Sequence, residues 1–233
     1  MTYTVIARCA RTGQLGIGIA TYSLAVGGYC PAIRGGLGAV STQAFVNLKL
    51  GTLALRLLET GFAPAKAMAE LLDDDPRSGY RQLGIVDAEG GTAVHTGANT
   101  RPWSGHITGD GFIAMGNVLA GEGVLAAMAE AFTRNIGEDL DQRLLTCLEA
   151  GRDAGGQQTA DGAHLNERSA AVMTHDHRDY AHIDLRVDVH ESAVDELRRV
   201  HGVYKPFVPY YRMRHERPEE TPAQDVWAAE NLP

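Results

Sequence analysis

The N-terminal segment from Met1 to Thr21 reads MTYTVIARCARTGQLGIGIAT, and the interpretation of the whole chain depends on it. An apolar, β-branched run begins at residue 2, a glycine-containing turn falls at residues 11–14, and a second apolar run follows from Leu15. Two such runs joined by turn residues are typical of a β-hairpin. The segment therefore predicts a first strand that begins at Thr2.

The position of Thr2 at the start of this strand has a chemical consequence. When the initiator Met1 is removed, as is usual when residue two is small, the Thr2 hydroxyl and a free α-amine share one carbon. A threonine hydroxyl is a weak nucleophile alone, and an adjacent amine with a pKa of about 7.7–8.0 can act as its general base. Thr2 is therefore a candidate N-terminal nucleophile, provided that Met1 is removed, since a retained Met1 blocks the amine. The alternative is an ordinary strand residue.

Composition limits the classes of function. The 233 residues are 44% hydrophobic and 21% charged, which fits one large domain, and the net charge is −8 without a basic cluster. We therefore expect no nucleic-acid partner. The sequence lacks a secretory-signal pattern and a run of the ~18–20 apolar residues that span a bilayer, so we expect a cytoplasmic protein with no membrane partner.

Cofactor signals are weak. Cys9, Cys30 and Cys147 are odd in number and lack the spacing of metal ligands, so we expect reduced thiols. The glycines form neither a P-loop nor a dinucleotide fingerprint. We therefore expect no cofactor.

The order of predicted elements favours antiparallel sheets. Hydrophobic periodicity predicts strands, two helices, strands, two helices, strands and a last helix. Helices that come in pairs fit poorly to a doubly wound parallel sheet and better to antiparallel sheets with helices packed outside. The predicted fold class is α+β.

The chain divides in character near residue 203. Residues 1–203 form the predicted domain, and residues 204–233 form a C-terminal extension rich in proline and aromatic residues. We interpret its prolines as excluding regular helix or central strand. Because exposed aromatic side chains are costly, we expect an extended arm that packs on its own core or on a partner subunit. Packing on a partner subunit would make the protein a homo-oligomer. A partly disordered terminus is the alternative.

The chain resembles a bacterial family known as domain of unknown function 1028, placed in the N-terminal-nucleophile (Ntn) hydrolase superfamily with proteasome β-subunits and penicillin acylases. The resemblance covers residues 2–200 and rests on the order and spacing of several motifs. These are TYTVIAR at 2–8, TGQLG at 12–16, AVG at 25–27, GAVSTQA at 38–44, HTG at 95–97, GNVLAG at 116–121 and DLRVD at 184–188. The resemblance implies a four-layer αββα sandwich, two antiparallel sheets flanked by helix layers, with the nucleophile at the start of the first strand.

An acyl-transfer site also needs a donor for the oxyanion. Asn117, between glycine-rich segments at the end of an apolar strand, is the best side-chain candidate, and a turn-forming Asn is the alternative. Ser41 and Thr42 are candidates to hold the α-amine or a substrate carbonyl, or are ordinary strand residues.

Three further residues are candidates for substrate binding. His95 ends a strand and could orient a ligand, or could be a hydrogen-bonded structural histidine. Asp184 and Arg186 alternate along one strand and so share a face. If that face is interior, the pair could tune the Thr2 amine or bind a substrate carboxylate; the alternative is a structural ion pair.

One metal-binding alternative comes from the histidines. His175 and His177 would share a face if their segment were a strand, which is compatible with a metal site. Asp176 to Asp179 has the character of a hairpin tip, where exposed histidines are common, so no metal is expected.

The leading hypothesis is a cytoplasmic amidohydrolase that cleaves a small linear amide by covalent acyl transfer. Thr2 would be the nucleophile, and Asn117 or backbone N–H groups would stabilise the oxyanion. The alternative is a non-catalytic ligand-binding or assembly protein on the same fold. It predicts a retained Met1 and no need for the Thr2 hydroxyl.

Overall fold

The computed structural model describes residues 1–178 and 180–232, and strands and helices alternate through it in groups. The strands are β1 (Thr2–Arg8), β2 (Leu15–Thr21), β3 (Pro31–Arg34), β4 (Gly38–Ala44), β5 (Arg81–Asp87), β6 (Thr92–Thr96), β7 (Ser104–Gly109), β8 (Phe112–Asn117), β9 (Gln157–Gln158), β10 (His164–Leu165), β11 (Ser169–His175) and β12 (Ile183–Val187). The helices are α1 (Lys49–Glu59), α2 (Pro64–Asp74), α3 (Glu122–Arg134), α4 (Leu140–Asp153), α5 (Ala193–Tyr204), α6 (Val208–Glu216) and α7 (Gln224–Asn231).

The long strands form two antiparallel sheets. One has six strands in the order β12-β11-β2-β1-β8-β7, and the other has four in the order β3-β4-β5-β6. The predicted first hairpin is confirmed: β1 starts at Thr2 and pairs with β2 on one side and β8 on the other. Its register places Thr2 opposite Asn117. β1 is therefore an interior strand of the six-stranded sheet, and its N-terminal end lies beside the C-terminal ends of β2 and β8.

Strand alternation determines which residues of β1 face the second sheet. Successive side chains of a strand point to opposite faces. Tyr3 and Val5 belong to the core under the helices, whereas Ile6 belongs to the core between the sheets. Thr2 and Thr4 share the face of Ile6 and therefore point into the layer between the sheets.

Helices cover the outer face of each sheet. α1 and α2 pack on the four-stranded sheet, and α3, α4 and α5 pack on the six-stranded sheet. The apolar residues of α1 and α2 join Val40, Leu83 and Ile85 in one core, because those strand residues face outward. The predicted four-layer αββα sandwich is confirmed.

The sequence prediction missed two edge strands. β3 and β7 each lie at an edge of their sheet. β3 starts with a proline, which an edge strand tolerates because one side of its backbone needs no partner. β7 contains two glycines and lacks a continuous apolar run. Neither strand carries the strong apolar pattern on which the prediction depended.

The prediction of an extended C-terminal arm is wrong. Residues 208–216 and 224–231 are the helices α6 and α7, and Pro209 lies in the first turn of α6. Proline is tolerated there because the first N–H groups of a helix have no partner within it. Tyr204 and Val208 pack against the core under the helices, and the Tyr210 side chain is buried. The extension therefore folds back on its own chain.

A buried charged cluster joins α4 to the start of this extension. The Asp141 carboxylate lies 2.5 Å from His201 Nε2 and accepts a hydrogen bond of 2.8 Å from Lys205 Nζ. Burial raises the pKa of Asp141, but hydrogen bonds from His201 and Lys205 outweigh it and hold the pKa at about 2. This pKa lies below the ordinary value of 3.8, so ionisation of Asp141 stabilises the folded state. The stabilisation is fully present above about pH 3.8 and is lost as the pH falls toward 2.

Replacement of this carboxylate should destabilise the protein. We expect Asp141→Asn to lower the free energy of unfolding by about 3 kcal/mol, because it removes the buried negative charge and one of the two oxygens that His201 and Lys205 bind. Urea denaturation at pH 7 measures the loss. Glu130→Gln, which breaks the exposed pair with Arg134, is the control and should change stability by less than about 0.5 kcal/mol. Equal effects of the two substitutions would contradict the stabilising role of Asp141.

No helix in the described part of the chain is long and apolar enough to cross a membrane.

Candidate functional site

A small cavity lies at the N-terminal end of β1. Its volume is about 190 Å³, and its lining residues come from five separate parts of the chain: Met1, Ser23, Ala44, Phe45, Arg101 and Asn117. Antiparallel pairing brings the ends of β2 and β8 to the start of β1, and the end of β4 lies there because the second sheet packs on the first. The cavity is therefore built by tertiary structure around the first residues of the chain.

Thr2 lies directly beneath Met1 at this cavity and is 6% exposed. The Thr2 hydroxyl contacts the Met1 carbonyl oxygen and lies 3.3 Å from Thr21 Oγ1. The Thr21 hydroxyl also donates to the Met1 carbonyl oxygen and accepts a hydrogen bond of 3.2 Å from the Ser23 N–H. Two hydroxyl groups therefore converge on one carbonyl position at the edge of the cavity.

The amine at this end of the chain has an altered pKa. Burial and the neighbouring Arg101 guanidinium lower the pKa of the Met1 amine from 8.0 to about 6. Both causes act in the same direction, because burial and a nearby cation each disfavour a second positive charge. The Met1 amine is therefore largely uncharged at neutral pH.

Asn117 is buried and held by a side chain from the other sheet. Asn117 Nδ2 donates a hydrogen bond of 3.0 Å to Gln82 Oε1. Because an amide nitrogen has two hydrogens, one remains for a group in the cavity that Asn117 lines. Gln82 thus fixes the orientation of the candidate oxyanion donor.

Gln82 is the centre of a polar network between the two sheets. Thr4 Oγ1 donates to Gln43 Oε1 over 2.6 Å, and Gln43 Nε2 donates to Gln82 Oε1 over 2.7 Å. Gln82 Nε2 donates to the carbonyl oxygen of Gly116 at 2.9 Å and lies 3.0 Å from that of Gly105. The network connects β5 to β7 and β8 within an otherwise apolar layer, next to the cavity.

Two backbone positions beside the cavity are unusual. Ala44 has a φ of 70° and Val118 a φ of 57°. Left-handed backbone is rare for residues other than glycine and especially so for β-branched ones, and such residues concentrate at functional sites. The left-handed residues lie at the end of β4 and immediately after β8, where the chain turns around the cavity.

The structure separates Ser41 from Thr42. Ser41 shares the face of Gln43 and points between the sheets, whereas Thr42 shares the face of Val40 and points toward α1 and α2. Both hydroxyl oxygens are buried and have no hydrogen-bond partner among the described residues. Because the two side chains face opposite ways, they cannot bind one substrate together.

The other predicted binding residues lie outside the cavity lining. His95 Nε2 lies 2.9 Å from the Ser78 carbonyl oxygen, which matches the structural alternative for this histidine. Asp184 and Arg186 are exposed on β12 and form an ion pair of 2.8 Å with each other. Two strands separate β12 from β1, so this pair does not adjoin Thr2.

The two histidines considered for metal binding do not lie on one strand. β11 ends at His175, which is half-buried, and His177 follows in an exposed bend. Asp179, at the end of the predicted turn, lies outside the described residues. Within residues 1–178 and 180–232, no group of three or more histidine, cysteine or acidic side chains is arranged to hold a metal ion.

Three residues of the site escaped the sequence analysis: Thr21, Gln82 and Arg101. The hairpin register could have revealed Thr21, since strands joined at residues 11–14 bring the start of β1 opposite the end of β2. Gln82 and Arg101 left no such signal. Arg101 lines the cavity and Gln82 binds Asn117, and both contacts join elements that are far apart in sequence.

The fold and the site together define an αββα sandwich in which the first residues of the chain border a polar cavity. The family model of DUF1028, a family of unknown function, matches residues 2–197, and the chain belongs to that family. The crystal structure of protein SPO2555 from Silicibacter pomeroyi, also assigned to DUF1028, is similar with a TM-score of 0.79 and 29% identity, covering 88% of this chain and 86% of that one.

Two other structures show more distant likeness of fold. Eukaryotic HslV from Trypanosoma brucei has a TM-score of 0.47 at 12% identity, covering 75% of this chain and 99% of its own. Anbu, an ancestral beta-subunit from Yersinia bercovieri, has a TM-score of 0.42 at 13% identity, covering 90% of this chain and 96% of that one. No curated protein matches the chain significantly.

Proposed function

We propose that this protein is an amidohydrolase that cleaves a small linear amide, with Thr2 as the nucleophile once Met1 has been removed. One observation carries the proposal. The carbonyl oxygen of Met1, itself part of an amide, contacts the Thr2 hydroxyl at the border of the cavity and accepts a hydrogen bond from Thr21. Removal of Met1 takes this carbonyl away and frees both hydroxyls, so that a substrate carbonyl entering the vacated space beside the Thr2 amine would lie within reach of the nucleophile and of a hydroxyl donor.

The reaction follows from the groups in this corner. The uncharged α-amine of Thr2 takes the hydroxyl proton as Oγ1 attacks the carbonyl carbon. Thr21 and Asn117 supply hydrogen-bond donors for the oxyanion that forms. The C–N bond then breaks, the leaving amine takes the proton, and the acyl group remains as an ester on Thr2. Water attacks this ester and releases the acid, and the hydroxyl recovers its proton.

Burial of the corner supports the role of the amine as base. The desolvation and the Arg101 charge that lower the pKa of the Met1 amine would act on a Thr2 amine one residue farther along the chain. We therefore expect the acylation rate to rise as this amine loses its proton and to be level above neutral pH. A rate that falls between pH 6 and 8 would contradict the amine as general base.

The test combines intact mass with an electrophile. Tagless protein expressed from its native start codon should have a mass that lacks Met1. A 3-alkyl β-lactone should then add once per chain, because ring opening by Thr2 Oγ1 retains every atom of the lactone, and peptide mass spectrometry should place the addition on Thr2.

A matched protein with one lysine inserted between Met1 and Thr2 is the control, because a large second residue prevents removal of the initiator. This protein should not react. Absence of labelling on a chain with a free Thr2, or equal labelling of the control, would contradict the proposal and favour the non-catalytic binding protein.

A further inference from the structure

Arg101 is the charged side chain of the cavity, and the described residues that line the cavity include no carboxylate to balance it. Its guanidinium lies 5.5 Å from the centre of the Phe45 ring, a cation–π contact that leaves its N–H groups available. Among the ion pairs of the described residues, none includes Arg101. In a chain with a net charge of −8, this is a local positive site beside the candidate nucleophile.

The loop that carries Arg101 is fastened to the site. The Val118 N–H donates to the Arg101 carbonyl oxygen at 3.2 Å, directly after Asn117. Thr100, which is buried, donates from its hydroxyl to the Gly97 carbonyl oxygen at 2.8 Å. These bonds hold the backbone of Arg101 next to Asn117, and its exposed side chain extends from that held position.

The size of the cavity restricts what this charge can bind. With Met1 in place the cavity has a volume of about 190 Å³, and removal of Met1, which lines it, adds only the space of that one residue. This space fits a short acyl chain with one anionic group. A guanidinium binds a carboxylate through two parallel hydrogen bonds, and such bonds are stronger than those between uncharged groups.

We infer that Arg101 binds a carboxylate of the substrate, so that the protein selects small linear amides that carry a carboxylate group. This inference rests on the proposed function, since it names the substrate class of the same site. Arg101 is then a specificity-determining residue, and the apolar Phe45 ring and Ala44 border the short chain between the carboxylate and the amide.

The first experiment compares two β-lactones that differ only at the end of a short side chain, with a carboxylate in one and an isopropyl group of similar size in the other. Protein with a free Thr2 should react with the carboxylate probe about 10- to 100-fold faster, the range expected for hydrogen bonds to a charged group. Arg101→Gln should remove this preference, so that the variant reacts with the two probes at similar rates. Loss of the Arg101 charge also raises the pKa of the amine, but that change affects both probes alike. Arg56→Gln, which removes the same charge from an exposed position on α1, should keep the preference.

The second experiment measures binding without the nucleophile. In Thr2→Ala protein, whose mass should also lack Met1, NMR titration with succinamate, a small amide with one carboxylate, should show saturable binding. The double variant Thr2→Ala, Arg101→Gln should bind it at least about 10-fold more weakly.

The two experiments separate the two proposals. If neither lactone labels a chain with free Thr2, the nucleophile is wrong, and succinamate binding alone decides the role of Arg101. Equal labelling by both lactones in the unmodified protein, a preference that survives Arg101→Gln, or equal binding of succinamate by the two Thr2→Ala proteins would overturn the inference about Arg101.

Discussion

A Thr2→Ala substitution is expected to abolish acylation by the β-lactone and to reduce turnover of an amide substrate by about 1,000-fold or more. Alanine at position two also permits removal of Met1, so the free α-amine and the cavity remain while the hydroxyl is lost. The loss therefore reports the nucleophile itself. Intact mass after lactone treatment and single-turnover hydrolysis of a carboxylate-bearing amide measure the two effects.

Thr2→Ser is the matched control for this substitution. Serine keeps a hydroxyl on the same carbon position and also permits removal of Met1, so we expect labelling to persist, with a rate within about 100-fold of the unmodified protein. Circular dichroism should show the same fold in both variants. If the alanine variant retains full turnover with a free N-terminus, Thr2 is not the nucleophile.

A Gln82→Leu substitution is expected to lower the free energy of unfolding by about 3–5 kcal/mol. Leucine fills similar space but removes the acceptor of Gln43 and Asn117 and the donor to Gly116, all of which are buried. Each buried polar group left without a partner costs about 1–3 kcal/mol. Urea denaturation measures the loss, and Gln224→Leu on the exposed face of α7 should change stability by less than about 0.5 kcal/mol.

Gln82→Glu tests the acceptor role of Gln82 separately from its donor role. A carboxylate can still accept from Gln43 and Asn117, but it cannot donate to the Gly116 carbonyl oxygen. We expect a loss of stability in this variant and a smaller effect on labelling of Thr2 than in Gln82→Leu, because Asn117 keeps its orienting partner. Equal labelling of the unmodified protein and Gln82→Leu would show that Asn117 does not need this support.

Strongly patterned elements were predictable because their patterns repeat. The apolar periodicity of α1 and α2, and the turn residues of the first hairpin, produce the same local structure in any context that buries one face. The edge strands β3 and β7 were missed because their conformation comes from pairing with a neighbour. α6 was missed because Pro209 was interpreted as a helix breaker, although in the first turn it is compatible with a helix.

For the candidate site, local sequence patterns identified individual residues but did not predict which residues would lie next to them in space. Thr2 and Asn117 were singled out and do lie opposite each other, since antiparallel pairing of β1 with β8 joins the start of one strand to the end of the other. Asp184 and Arg186 were correctly placed on one face of a strand. Whether that face packs against another element or is exposed depends on the position of β12 at the edge of the sheet. Strand alternation does not specify that position.

The sequence by itself indicated that β1 begins at Thr2 and that antiparallel sheets carry their helices outside, and the resemblance to the family added the four-layer arrangement. These features depend on the order and local chemistry of neighbouring residues. Only the tertiary structure decided that Arg101 and Asn117 border one cavity with the chain terminus and that Gln82 orients Asn117 from the opposite sheet. Such contacts join residues far apart in the chain, and their geometry is fixed by how the two sheets pack, which no single segment encodes.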